Sequence, residues 1–267
     1  MITLSCLLFI LYLFAVKGRK TSDKMRKLTK FVYAHRGLHC KEKGLPENSL
    51  KAFKAAADAG YGAELDVHLL KDGRLAVIHD SLLVRTTGAK GAIEDITHDE
   101  LTNYFLEGTT ETIPDFESVL ALFENRAPLI IELKAAGSNA PALCKAVCDV
   151  LDNYNGEYCI ESFDPRCLLW LKRNRPDILR GQLSQNFLKN PSGLGRVVDF
   201  FLTALVLNIA TRPDFVAYRF SDRKDFSYRL CTKFWKTQSA AWTINTPADC
   251  EAAQSENSII IFENFKP

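Results

Sequence analysis

Short apolar runs rich in β-branched and aromatic residues recur from residue 31 onward. They fall at 31–36 (FVYAHR), 62–69 (GAELDVHL), 128–133 (PLIIEL), 158–163 (YCIESF), 178–183 (ILRGQL), 214–219 (DFVAYR), 239–244 (SAAWTI) and 258–263 (SIIIFE). Between most of them the hydrophobic spacing becomes helical. Residues 48–59 place Leu50, Phe53 and Ala57 on one face and stop at Gly60. Residues 114–123 open with Pro114 at a first-turn position and align Phe116, Val119, Leu120 and Phe123. Stretches 140–152, 165–174, 222–236 and 247–256 read the same way. Eight strands alternating with helices predict a parallel sheet, and eight strands close a (β/α)8 barrel. A doubly wound open sheet is the alternative, but the first strand–helix turn has no GxGxxG sequence. Within ELDVHLLKDGRLAVIHD (64–80), Asp72-Gly73 predicts a β-hairpin extending the second strand. A two-residue turn would pair Lys71 with Arg74 and set His79 opposite Asp66.

Two stretches break the rhythm. Residues 2–16 (ITLSCLLFILYLFAV) are apolar apart from Thr3 and Ser5, and seven basic residues against one acidic follow over 17–30. As a helix this segment spans about 22 Å, short of the roughly 30 Å hydrocarbon core. Positive charge on its C-terminal side alone predicts a membrane anchor with the body of the protein on the cytoplasmic face; a secretory signal, with a secreted product, or a helix packed on the domain are the alternatives. The expected division is therefore 1–30 as anchor and basic juxtamembrane stretch and 31–267 as one catalytic barrel, since no repeat or low-complexity linker splits the chain. The second stretch, 191–213, carries VVDFFLTALVLNIA (197–210) in a long connection after the fifth strand. It reads either as a helix packed outside the barrel or as an apolar collar on the rim that dips into a membrane.

The net charge of +2 becomes about −4 once residues 17–30 are set aside, which excludes a basic nucleic-acid binder. The eight cysteines include no CxxC pair, and several lie in apolar runs, pointing to buried thiols in a reducing compartment.

In a barrel, functional residues gather at the C-terminal ends of the strands. His35, Arg36 and Gly37 end the first strand, and Glu64 and Asp66 share a face of the second. Glu132 and Lys134 end the third, Phe163 and Asp164 the fourth, while Trp242 and Asn245 sit late in the seventh. Three carboxylates without thiolates suit one hard divalent cation, Mg²⁺ or Ca²⁺. Two histidines beside it suit general acid–base catalysis, and an adjacent Arg and Lys suit a phosphate ester.

AHRG (34–37), PENS (46–49), ELDVHLLKDG (64–73), VIHD (77–80), IPDFESVL (113–120), ELK (132–134), ESFD (161–164) and AWTIN (241–245) occur in that order. Together, over about residues 31–265, they closely resemble the glycerophosphodiester phosphodiesterases. The resemblance implies a TIM barrel and metal-dependent hydrolysis of glycerophosphodiesters to glycerol 3-phosphate and an alcohol. It makes His35 and His79 the acid–base pair, Glu64, Asp66 and Glu132 the metal ligands, and Arg36 and Lys134 the grip on phosphate. The implied route is attack on phosphorus by the adjacent glycerol hydroxyl, then opening of a cyclic phosphate by water. ENFKP (263–267) stands where the family often ends in Asp-Tyr-Pro, a rim position that touches on specificity.

Glu47 reads as a substrate-side residue orienting a catalytic group, with Asn48 explained by helix capping alone. Trp242 is either a core residue or a wall for the glycerol moiety. His39 and His68 read as solvent-facing, and His98 as helix-start polarity. The expected partners are a glycerophosphodiester or lysophospholipid and a membrane surface, with no nucleic acid and no oligomeric state implied. Two alternatives stand beside the phosphodiesterase: a lysophospholipase D-type activity on the same scaffold, and a non-catalytic phosphodiester- or lipid-binding module. The intact set of His35, His79, Glu64, Asp66 and Glu132 argues against the latter.

Overall fold

A computed structural model describes residues 2–267, with side chains from residue 4 onward. All eight apolar runs form strands: β1 (Val32–Ala34), β2 (Gly62–Leu69), β4 (Leu129–Leu133), β5 (Tyr158–Ser162), β6 (Arg180–Ser184), β7 (Phe215–Arg219), β8 (Gln238–Ile244) and β9 (Ile259–Phe262). Each is parallel to its neighbours, and pairing of β1 with β2 through Tyr33↔Gly62 and Ala34↔Ala63 closes the sheet. The short strand β3 (Leu75–Val77) runs antiparallel on β2, outside the closed ring. The molecule is a (β/α)8 barrel.

Helices cover the outside where the pattern predicted them. Leu50–Asp58 starts at Ser49, whose hydroxyl accepts the amide N–H of Ala52, so Ser49 rather than Asn48 is the cap. Phe116–Phe123 is capped by Asp115, which leaves Pro114 one residue outside the helix. Ala140–Leu151, Pro165–Asn174 and Pro247–Ser255 follow the predicted bounds closely. Residues 222–236 contain a short α-turn, Phe226–Arg229, continued by a wider π-turn over Leu230–Phe234.

The inward faces of the strands change character along the barrel axis. On β4, Ile130 precedes Glu132, and on β5, Cys159 precedes Glu161. The lower layer is apolar, with Tyr33, Ile130, Cys159, Phe215 and Ile261 packed together, and the upper layer is acidic. The bottom is closed by the short helix Asp23–Leu28, which buries Met25 and Leu28 in that same cluster. The basic stretch is thus folded onto the N-terminal ends of the strands, where Arg19 pairs with Asp214 at 3.2 Å and Lys27 with Glu157 at 2.9 Å.

The N-terminal helix, Ile2–Ala15, is attached by its last turn. Tyr12 Oη donates to the Ala204 carbonyl at 3.2 Å, Trp235 Nε1 to that of Leu13 at 2.6 Å, and Asn208 Nδ2 to that of Val16 at 3.0 Å. Residues 4–11 are exposed. Among the described residues no helix is long and apolar enough to cross a membrane. All eight cysteines are free thiols, six of them buried.

Candidate active site

Glu64 and Asp66 rise from β2 and Glu132 from β4, where Asp66 and Glu132 are register partners. One carboxylate oxygen from each lies within 4.8 Å of the others, and all three residues are buried. Lys134, two residues past Glu132, bridges them: its Nζ lies 2.8 Å from Glu132 Oε1 and 3.0 Å from Asp66 Oδ1.

The exit of β1 brings the first histidine and the arginine. Arg36 and Gly37 are both left-handed, turning the chain sharply over the barrel mouth. A Cβ at Gly37 would stand 2.8 Å from the Ala52 backbone, so only glycine fits there. The turn presents the Arg36 amide N–H to Glu64 Oε2 at 3.1 Å and sets His35 Nε2 3.9 Å from the same oxygen. His35 Nδ1 pairs with Glu263 Oε2 at 2.6 Å, which orients the ring with Nε2 toward the acidic floor. Arg36 Nη1 donates to Glu47 Oε1 at 2.8 Å, and Arg85 grips the same carboxylate from the other side at 2.6 and 2.9 Å. Glu47 is therefore engaged in holding Arg36. Asn48, predicted as a simple cap, is buried with a left-handed backbone, and its Nδ2 donates to Asp66 Oδ2 at 2.8 Å.

The hairpin delivers His79 by a route other than the predicted one. The register is Val67↔Val77, His68↔Ala76 and Leu69↔Leu75, so Ile78, not His79, lies opposite Asp66. The turn is a three-residue loop, Lys71-Asp72-Gly73, with Gly73 left-handed at φ +83°, the bulged alternative to a two-residue turn. Strand pairing ends at Val77, and the chain bends at His79, which swings that side chain into the cavity. Its Nδ1 pairs with Asp80 Oδ1 at 2.6 Å, and Asp80 is held in turn by Arg85. His68, predicted at the surface, is buried: its Nδ1 pairs with Glu94 at 2.7 Å, and its Nε2 faces the His79 carbonyl at 3.3 Å.

His35, Arg36, Glu64, His79, Glu132 and Glu161 line a cavity of about 120 Å³ whose far wall is Phe163, Leu183 and Trp242. The Trp242 ring meets Phe163 edge-on at 5.7 Å between centroids. A larger hollow of about 720 Å³ lies outside, along 37–43 and 262–266, and shares Glu47 and Glu263 with the site.

Burial governs the charges. Burial and the carboxylates of Asp66, Glu132 and Glu161 push Glu64 well above the usual range, and burial raises Glu132 to about 7 despite Lys134. Burial acts the same way on Asp66, but Lys134, His79 and Arg36 overcome it and hold that group well below the ordinary value. Desolvation depresses His79 to about 4 and also lowers His35, against the pull of the Glu263 carboxylate. Clustered carboxylates that repel one another in a buried site fit a divalent cation, whose charge would take the place of the protons they otherwise retain.

Five residues of this network were not singled out from the sequence as site residues. Glu161, one strand beyond Glu132, is fully buried with Oε2 lacking a partner, and burial and Glu132 raise its pKa strongly. Asp80 and Glu263 orient the histidines, Asn48 supports Asp66, and Arg85 braces Glu47. Asn48, Asp80 and Glu161 lie within the recognised motifs PENS, VIHD and ESFD, which was the available signal; Arg85 carried none.

Fold and site together are those of a (β/α)8-barrel enzyme. A model of the glycerophosphoryl diester phosphodiesterase family matches residues 35–210, and the chain belongs to that family, whose members are phosphodiester hydrolases. A glycerophosphodiester phosphodiesterase of Bacillus altitudinis is 35% identical over 171 residues, covering 60% of this chain and 69% of the relative. A human lysophospholipase D is 33% identical over 125 residues, 42% of this chain and 38% of that protein. Among solved structures, an Oleispira antarctica phosphodiesterase in complex with the product sn-glycerol-3-phosphate superposes with a TM-score of 0.70 at 23% identity, covering 87% of this chain and 92% of the other.

Proposed function

We propose that the protein hydrolyses glycerophosphodiesters to glycerol 3-phosphate and an alcohol, with His35 and His79 as acid–base pair and Glu64, Asp66 and Glu132 as ligands of one divalent cation. The observation that carries this reading is the placement of two carboxylate-oriented imidazoles beside a buried three-carboxylate floor. A hard cation bound there supplies Lewis-acid polarisation of the phosphoryl oxygens and charge neutralisation. The donor set is all oxygen, which selects Mg²⁺ or Ca²⁺ over softer ions.

The chain's own groups account for the rest. Arg36 and Lys134, held by Glu47 and by the floor carboxylates, are fixed cations at the place where a phosphate gathers charge. One imidazole takes the proton of the attacking glycerol hydroxyl, and the other, entering the step protonated, gives its proton to the departing alcohol; water then opens the cyclic phosphate to glycerol 3-phosphate as the two histidines exchange roles. The hydroxyl belongs to the substrate itself, so the attack carries the proximity advantage of an intramolecular step. Trp242 and Phe163 form the apolar wall against which the glycerol carbons pack.

The test is release of glycerol 3-phosphate from glycerophosphocholine, with lysophosphatidylcholine assayed in parallel. Turnover should vanish in EDTA and return with Mg²⁺ or Ca²⁺. Folded protein that forms no product with any divalent ion would refute the activity, and strong preference for the lysolipid would move the substrate to the lysophospholipase D class.

A further inference from the structure

The connection between β6 and β7 exposes Leu188, Leu194, Val197, Phe200 and Phe201, with Val197 71% and Phe200 54% accessible. Over residues 186–204 the single acidic residue, Asp199, is buried and accepts from the amide and hydroxyl of Ser192 at 3.0 and 2.5 Å. The two charges left at the surface of this stretch are Lys189, whose Nζ lies 3.4 Å from Asp222 Oδ1, and Arg196. Apolar and cationic side chains with no exposed acid are the composition of a segment that lies at a lipid interface.

The segment belongs to the rim of the catalytic mouth. Ser184 Oγ, at the end of β6, donates to the Leu202 carbonyl at 3.4 Å. Phe187 meets Phe163 edge-on at 6.0 Å, and Phe163 in turn packs on Trp242 in the cavity wall. The apolar surface thus continues from the outside into the site.

The N-terminal helix adds to the same face. Its last turn is fixed near the strand starts, with the Gly18 and Arg19 amides bonded to Thr237 Oγ1 and the Pro213 carbonyl. Tyr12 reaches Ala204, just past the helix Arg196–Thr203, and stacks on exposed Phe226. The helix therefore climbs toward the rim, and Leu4, Leu7, Leu8, Phe9, Ile10 and Leu11 lie beyond these contacts, each about half exposed or more. A helix apolar on every side is stable only inside another apolar medium. Eight residues of helix rise about 12 Å, the depth of one leaflet's acyl region rather than of a whole bilayer.

We infer that this chain docks on a lipid bilayer surface, inserting residues 4–11 and the Leu188–Phe201 segment into one leaflet with the catalytic mouth turned toward the lipid. A protein partner or second copy would leave unexplained why residues 4–11 expose apolar side chains at every position but Ser5, around the whole circumference of the helix.

The experiment uses the full chain in flotation with vesicles of phosphatidylcholine alone or with a quarter phosphatidylglycerol. The wild type should float with both. V197S/F200S/F201S and, separately, L7S/L8S/I10S should each lower the bound fraction at least tenfold, while hydrolysis of soluble glycerophosphocholine stays near wild type. Wild type that remains unbound, either variant floating like wild type, or a discrete dimer by light scattering that the substitutions dissociate without any vesicle binding, overturns the proposal. Flotation needs no turnover, so failure of the phosphodiesterase reading leaves this result interpretable.

Discussion

At the scale of single residues, the site is a set of charges whose states are imposed by burial and by specific partners. His35→Ala and His79→Ala remove the two groups proposed to move protons, and each should lower kcat by about 10²–10⁴-fold or more. Near-wild-type turnover in either variant would remove that residue from the mechanism. Glu263 touches His35 rather than the cavity floor, so Glu263→Ala should cost less than His35→Ala and leave metal affinity unchanged by calorimetry. Glu47 offers a test by linkage. Burial alone would raise its pKa, but Arg85 and Arg36 bring it down to about 2. Between its unfolded value near 4.3 and about 2 the native state binds fewer protons than the unfolded state, so the stabilisation present above that window is lost as pH falls through it. Urea melts at pH 3 and pH 6 should differ by on the order of 1–2 kcal/mol less in Glu47→Gln than in wild type. An unchanged pH dependence would show that the Arg36–Glu47–Arg85 cluster is not formed in solution.

At the scale of elements, the hairpin of β2 and β3 shows how little geometry separates a working site from a broken one. A one-residue change of register exchanges the two faces of a strand. Here the register differs by one residue from the two-residue turn that Asp72-Gly73 suggests, and His79 still reaches the site because pairing stops at Val77. The Ile78 amide bonds to the Asp66 carbonyl at 3.0 Å, and the bend follows immediately. Gly73 contributes through its left-handed backbone alone, since a Cβ there meets nothing within 4 Å. Gly73→Ala should therefore cost about 1 kcal/mol of stability by chemical denaturation with kcat little altered. A large loss of activity would mean that the turn, and not the end of the strand pairing, positions His79.

At the scale of the whole molecule, a barrel places its chemistry on one end and its closure on the other. The helix Asp23–Leu28 closes the lower end, and Leu28 is 1% exposed within the barrel-floor cluster. Leu28→Ala should lower stability by roughly 2–4 kcal/mol through the cavity it leaves, with metal affinity of the surviving folded protein intact. A truncation that starts at residue 31 should be less stable for the same reason, although every catalytic residue is retained.

The strand order and most of the site were legible because parallel strands buried on both faces read as short apolar runs, and because residues two apart on a strand share a face. That local rule put Glu64 beside Asp66 and Glu132 beside Lys134 without any tertiary information. The motifs in register then named the family and the histidines. What lay beyond the sequence depends on distant segments meeting. His35 finds its carboxylate 228 positions away at Glu263. Glu161 joins the acidic floor only because β5 pairs with β4, and Asn48 leaves the helix start to support Asp66 only because the β1 exit turns left-handed. Turn length, and with it the pairing of His79, was likewise invisible, since Asp-Gly serves loops of two residues and of three. The basic run after the apolar helix read as a juxtamembrane stretch by charge alone; in the structure it folds under the barrel because Met25 and Leu28 supply apolar surface that the closed ring of strands buries. Local spacing determined which residues could act together; closure of the barrel decided which ones do.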